Sequence, residues 1–200
     1  MRAHMLRARG ISKWFGSHCV LDRVDLDVRS GERVVIWGEN GCGKSTLLQI
    51  VAGVLETYEG AMTLPGVLGY APEKPDMPDH LLAREWLDIV ASLKRAPWRS
   101  EQAFGVDALL GRKIGALSLG QRQRISLVAA FTGNPPLIVL DEPTNALDAE
   151  ACAELARRLD ATTALVATHD RAFAERVHTR IVSMSATWER QLRCLPSKSQ

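Results

Sequence analysis

Three scarcities narrow the field before any motif is read. No apolar run in the 200 residues approaches the roughly 18 that cross a bilayer. The basic start MRAHMLRARG has no apolar stretch of the kind a secretory signal needs. The expectation is therefore a chain with neither a membrane span nor a leader. Excess charge of one sign is also lacking: 25 basic residues against 23 acidic ones leave a net charge of +2. Nucleic-acid binders normally carry a strong basic excess, so no nucleic-acid partner is expected. Cysteine is sparse and scattered, at Cys19, Cys42, Cys152 and Cys194, with no metal-ligand spacing. That pattern argues against a disulfide scaffold or a zinc site and for a reduced, cytosolic setting. No repeat or low-complexity segment is present. With 46% hydrophobic and 24% charged residues, the length suits one domain with a full core, with room for a small inserted lobe.

What is present begins with GENGCGKST, Gly38 to Thr46, directly after the apolar run RVVIW. The pattern G-x-x-x-x-G-K-[ST] between a strand and a helix forms a nest of backbone N–H groups at a helix N-terminus, which suits a polyphosphate. Gly38, Gly41 and Gly43 are expected to supply permissive backbone angles. The loop residues Glu39, Asn40, Cys42 and Thr46 contribute their backbone, Lys44 reaches the β- and γ-phosphates, and Ser45 holds Mg²⁺. Cys42 is read as a tolerated side chain rather than a redox switch.

Around this loop, apolar runs alternate with helical patterns, as in an α/β domain with a largely parallel sheet. VDLDV (Val24 to Val28) reads as a half-buried strand and Ser45 to Val54 as the helix leaving the phosphate loop. GAMTL and VLGYA read as short strands, and PEKPDMPD as an irregular loop because of its prolines. LLAREWLDIVASL has helical spacing, with SEQAFGVDALLG as a weaker helical continuation. A helix starts near Ser118, PLIVLDEP is a buried strand ending in acids, AEACAELARRLD an amphipathic helix, and TALVATHD and RIVSM the last strands. The tail LPSKSQ reads as frayed. The tryptophans Trp37, Trp86, Trp98 and Trp188 are read as packing residues.

LIVLDEP adds chemistry. Four apolar residues carry Asp141 to a strand end, where it can bind Mg²⁺, and the adjacent Glu142 can accept a proton from an attacking water. A strand later, THD presents His169. LSLGQRQR, Leu117 to Arg124, precedes the acidic strand, and NALD, Asn145 to Asp148, follows it.

In this combination the chain resembles the nucleotide-binding domains of ABC transporters, from Met5 to about Met184. LSLGQRQR matches the signature L-S-x-G-Q-x-Q-R, NALD resembles the D-loop, and His169 stands as the switch histidine. The resemblance implies a P-loop NTPase of α/β class with a mainly parallel sheet core, an N-terminal antiparallel β-subdomain and a short inserted helical lobe. In those terms residues 1–200 form a single ATPase domain, with core and β-subdomain at about 1–72 and 116–190 and the lobe at about 74–115. It also implies ATP and Mg²⁺ held between two such subunits arranged head to tail. Lys44 and the loop amides hold the phosphates, and Ser45, Asp141 and Glu73 attend the metal. Glu142 and His169 serve hydrolysis. The other subunit's Ser118, Gly120 and Gln121 close the γ-phosphate site, and Asp148 communicates across the interface. A homodimer is expected, with a heterodimer as the alternative, bound to a polytopic membrane permease on the cytoplasmic face. An aromatic ring stacks on adenine in this family. KWFG offers Phe15, with Trp14 as the alternative.

One position departs from the family pattern. GYAPEKP gives Glu73 where glutamine is usual, so a full negative charge replaces a neutral carbonyl. With the short lobe, this leans towards the export branch. The span Ser92 to Arg124, rich in Lys and Arg, reads either as a solvated lobe surface or as a face towards anionic headgroups or the permease. The rival function is an ABC-type ATPase driving a machine other than a transporter. A P-loop kinase has no use for the signature.

Overall fold

Apolar residues at alternate positions pair residues 4–29 into a long hairpin, β1 (His4–Phe15) with β2 (His18–Arg29). The computed structural model describes residues 3–98, 104–184 and 192–194. The VDLDV reading finds only part of this hairpin. β1 shifts register between Ala8 and Ile11 and again around Lys13, and such bulges break the period-2 signal. β4 (Glu59–Thr63) pairs with the other side of β1, giving an antiparallel sheet of order β2-β1-β4.

The second sheet runs β5 (Gly69–Ala71), β6 (Ile138–Asp141), β7 (Ala164–Thr168), β3 (Arg33–Trp37), β8 (Arg180–Met184) and β9 (Leu192–Cys194). All its pairings are parallel except β8 with β9. Its inner strands are buried on both faces, which is why they read as unbroken apolar runs. Val35, Ile138, Leu140 and Val166 face a core shared with α3 (Leu119–Phe131), α4 (Ala149–Leu159) and α5 (Arg171–Val177). Val34, Ile36, Val139 and Leu165 face α1 (Lys44–Val51) and the antiparallel sheet. The phosphate-loop helix stops three residues before the expected Val54, and Gly53 at φ +74° turns the chain out of it.

The inserted segment is less helical than its sequence suggests. α2 (Ala83–Lys94) forms as read, but the expected continuation is reduced to a 3-10 turn at Asp107–Leu109, with another at Ile114–Ala116. Phe104 and Gly105 both take left-handed angles, φ +57° and +62°, which an α-helix cannot include. Residues 100–103 of the predicted continuation lie outside the described residues, as do Trp188 and the tail LPSKSQ. Trp86 and Trp98 pack against the core, whereas Trp37 is 37% exposed at the end of β3, so the packing role fails there.

The basic span is only partly free surface: Arg95, Arg112 and Lys113 are exposed, but other cations in it are engaged. Arg122 pairs with Asp79 at 2.9 Å, Arg124 pairs with Asp148, and Arg112 donates to the Ala116 carbonyl at 2.8 Å. Lys94 donates to the carbonyls of Ala129, Ala130 and Thr132, capping the end of α3, and burial pulls its pKa down to about 8. Lys94 and Arg122 thus tie the lobe to the core, and Arg124 does so through the Phe104 carbonyl at 3.2 Å, whereas the Arg112 bond is local. Among the described residues no helix is long and apolar enough to cross a membrane.

Candidate nucleotide site

β3 delivers the chain into a loop that ends at Gly43, whose φ of +100° starts α1. Gly38 needs no unusual φ. A Cβ there would lie 2.3 Å from the Met184 carbonyl, so glycine lets the loop pass over the end of β8. Cys42 turns its side chain into the core beneath, at 3% exposure, and its role in the loop is left to its backbone. Lys44 is 5% exposed and donates to the carbonyls of Gly38 at 2.8 Å and Glu39 at 2.9 Å. Its ammonium thus lies folded against the loop, 3.9 Å from Glu142 Oε1.

Beside this loop the ends of β6 and β7 bring acids and a histidine together. Asp141 is 2% exposed, accepts a hydrogen bond from Ser45, and has Oδ1 buried without a partner. Burial pushes its pKa up to about 6, and the nearby charges of Glu142 and Glu73 add to the rise. Glu142 adopts φ +45° and is 5% exposed. Its Oε2 accepts from the His169 backbone N–H at 3.2 Å and lies 2.9 Å from His169 Nδ1. With the carboxylate as acceptor, Nδ1 carries the proton and Nε2 is left as an acceptor on a half-exposed ring. Glu142 Oε1 has no hydrogen-bond partner. Glu73 Oε1 accepts from Asn145 Nδ2 at 3.3 Å.

A cleft of about 490 Å³ opens over these groups. It is lined by Val20, Asn40, Gly41, Gly43, Lys44, Ser45, Thr46, Glu73, Glu142, Asn145 and His169. Asp141 lies buried below it. Phe15 and Trp14, 50% and 48% exposed, stand outside it at the tip of the β1–β2 hairpin. Val20, on β2, and Asn145, read only as the start of the NALD stretch, are the lining residues that sequence reasoning missed. A lone valine inside a strand carries no signal apart from its fold neighbours.

The signature residues Ser118, Gly120 and Gln121 are absent from the cleft lining. Ser118 caps α3, its Oγ accepting from the Gln121 N–H at 3.3 Å while Gln121 Oε1 accepts from the Ser118 N–H at 3.0 Å. A Cβ on Gly120 would meet the Ala146 carbonyl at 2.2 Å, so α3 packs directly on the 145–148 loop of the same chain. Asp148 caps α4 through the Ala151 N–H at 2.9 Å and pairs with Arg124 on α3. The Ala151 N–H and Arg124 hold it below the usual carboxylate range.

No group of three or more acidic, His or Cys side chains that could alone enclose a metal occurs among the described residues. A divalent cation nonetheless fits between Asp141 and Ser45. The unpartnered buried oxygen and the crowding of three carboxylates both call for positive charge there, and phosphate oxygens would complete the shell.

A glycine-rich nest at a helix N-terminus, with a buried lysine and a strand-end Asp-Glu pair on a parallel sheet, defines a P-loop nucleotide hydrolase. The ABC transporter family model matches residues 21–145. The aliphatic sulfonates import ATP-binding protein SsuB 1 of Mesorhizobium japonicum is 34% identical over 89% of this chain and 74% of its own length. The zinc import ATP-binding protein ZnuC of Paramagnetospirillum magneticum is 36% identical over 76% of this chain and 60% of its own length. A solved ATP-binding subunit of an ABC transporter superposes with a TM-score of 0.82 at 28% identity, covering 91% of this chain and 86% of that one. The chain belongs to the ABC transporter family as an ATP-binding subunit, and it is an ATPase.

Proposed function

We propose that this chain hydrolyses Mg-ATP to drive a solute through a separate membrane permease, working as a head-to-tail dimer on the cytoplasmic face. One observation carries the dimer: the cleft holds the phosphate loop and the hydrolytic acids but none of the signature residues. A second copy must therefore bring Ser118, Gly120 and Gln121 to the γ-phosphate. The Ser118 end of α3 presents a helix N-terminus for that purpose, with Leu119 beside it 51% exposed.

Within one subunit, the loop amides from Gly38 to Thr46 cradle the β- and γ-phosphates. Lys44 exchanges its two loop carbonyls for phosphate oxygens. Asp141, Ser45 and Glu73 would hold Mg²⁺, which supplies charge neutralisation on the phosphates. Glu142 orients water and accepts its proton through Oε1, while Oε2 stays fixed by His169. Nε2 of His169, an acceptor in this tautomer, is free to accept from the attacking water, and contact with the γ-phosphate would require a proton on it. Phe15 stacks on adenine. Asp148, held by Arg124, transmits the state of one site to the other.

A groove of about 170 Å³ between the proline loop and α2, lined by Tyr70, Pro72, Trp86, Val90 and Lys94, supports a seat for the permease. It begins next to Glu73, so a change at the metal is felt where the permease docks. The named relatives spanned above are import subunits, and this chain covers from three quarters to three fifths of their length. They give no support to the export branch suggested by Glu73 and the short lobe. Solute transport is the reading supported, and the cargo and its direction belong to the permease.

Size-exclusion chromatography of Glu142→Gln with Mg-ATP tests the sandwich. Hydrolysis should fall by orders of magnitude while a nucleotide-dependent dimer accumulates. Adding Ser118→Arg should abolish the dimer. A Glu142→Gln chain that turns over ATP at the parent rate would refute the assignment of the base.

A further inference from the structure

We propose that Lys13 is a positioning residue for the base platform: it steadies and polarises Phe15, and so sets part of the chain's preference for purine nucleotides. The proposal rests on the stacking role given to Phe15 above. Lys13 is 7% exposed, and a buried ammonium must place all three of its protons. Two go to one residue, the Thr57 carbonyl at 2.5 Å and the Thr57 hydroxyl at 3.0 Å. The remaining side of the cation lies 4.9 Å from the centroid of the Phe15 ring. Among the described residues no carboxylate forms an ion pair with it. The Phe15 ring offers that side of the ammonium an electron-rich surface.

The arrangement follows from the strand. Lys13 lies two residues before Phe15 on β1, and the register shift between Lys13 and Trp14 lets the two side chains meet, while Thr57 comes from the connection between α1 and β4. Loop, cation and ring form a stack with half of the ring exposed. A cation against one face holds the ring in place, so less freedom is lost when a base settles on it. The cation also draws π-density towards itself, which makes the exposed face a better partner for an electron-rich purine than for a smaller pyrimidine.

The test measures equilibrium binding of Mg-ATP, Mg-UTP and inorganic tripolyphosphate to the full chain, Lys13→Met, Lys13→Arg, Phe15→Ala and the Lys13→Met/Phe15→Ala double variant. Phe15→Ala should weaken ATP and leave tripolyphosphate unchanged, which tests the platform by itself. Lys13→Met should weaken ATP roughly three- to tenfold, spare tripolyphosphate and narrow the ATP-to-UTP ratio. Lys13→Arg should restore most of the loss. In the Phe15→Ala background Lys13→Met should add nothing, since the cation then has no ring to act through. An equal loss for tripolyphosphate, parent-like ATP binding by Lys13→Met, or an undiminished loss in the double variant would each overturn the proposal. If Phe15→Ala binds ATP normally, the platform fails and Lys13 with it. If only Lys13→Met is silent, the platform stands and Lys13 does not tune it. Should Lys13→Met not fold, Lys13→Gln enters the same comparisons as an uncharged donor to Thr57.

Discussion

Replacing Asp141 by Asn should make the nucleotide-free chain more stable while ending its use of Mg-ATP. Asp141 is almost fully buried, and its pKa is moved from 3.8 to about 6, first by burial and then by Glu142 and Glu73. At about 1.4 kcal/mol per tenfold change in acidity, keeping this carboxylate ionised at pH 7 costs the native state roughly 3 kcal/mol. Asparagine removes the charge and can keep a hydrogen bond to Ser45, but its amide group lacks a full set of partners, at about 1 kcal/mol. The expected gain is about 2 kcal/mol, or a rise in Tm of roughly 4–8 °C for a chain of this size. The pH dependence fixes the cause. The native carboxyl holds its proton more tightly than the unfolded one, so the penalty is full above pH 6 and relieved as pH falls towards 3.8. The advantage of Asp141→Asn should therefore be largest at pH 7 and vanish near pH 4. Thermal and urea unfolding of both chains without Mg²⁺ or nucleotide would measure it. A variant no more stable than the parent at pH 7, or an advantage unchanged at pH 4, would refute this account of the buried charge. With Mg-ATP the order should reverse, because the parent gains stability from ligand and the variant does not.

Three further substitutions separate the parts of the site. Lys44→Ala strips the phosphate loop of its cation, and ATP affinity by titration calorimetry should fall at least about a hundredfold, as for a lost charge-assisted contact. Glu73→Gln keeps a partner for Asn145 but removes a charge from the metal site. The Mg²⁺ concentration for half-maximal hydrolysis should rise a few-fold, and an unchanged value would remove Glu73 from that site. Arg124→Met releases Asp148 at an exposed pair, so the unfolding midpoint should hardly move, yet dimer formation in the Glu142→Gln background should weaken clearly.

The chemistry was legible because each group is carried by a short local pattern. Lys44 and Ser45 follow the glycines that make their loop, and Asp141 follows an apolar run that could only be a buried strand. Ser118 and Gln121 formed the capping box that their spacing of three implies. What escaped was non-local or depended on backbone angle. The bond from His169 to Glu142 joins adjacent parallel strands far apart in sequence. The Asn145 contact of Glu73 spans 72 positions, and nothing near either residue announces it. The helix read through Phe104 and Gly105 failed because two left-handed residues leave no periodic trace. The paired arginines looked like free surface because Asp79 and Asp148 lie elsewhere in the chain.

The Ala146 carbonyl behind Gly120 changes what a mutation in the signature can reveal. A side chain at Gly120 has no room on its own subunit, since even a methyl group would sit 2.2 Å from that oxygen. Gly120→Ala must push α3 away from the 145–148 loop before any neighbouring copy is involved, and Ala146, itself at φ +64°, has little freedom to yield. Lost activity in such a variant would mark a dislocated helix and would be silent about phosphate. Ser118, whose side chain is exposed, has room for a larger group, so a variant there gives up its cap on α3 but not the packing of that helix against the 145–148 loop.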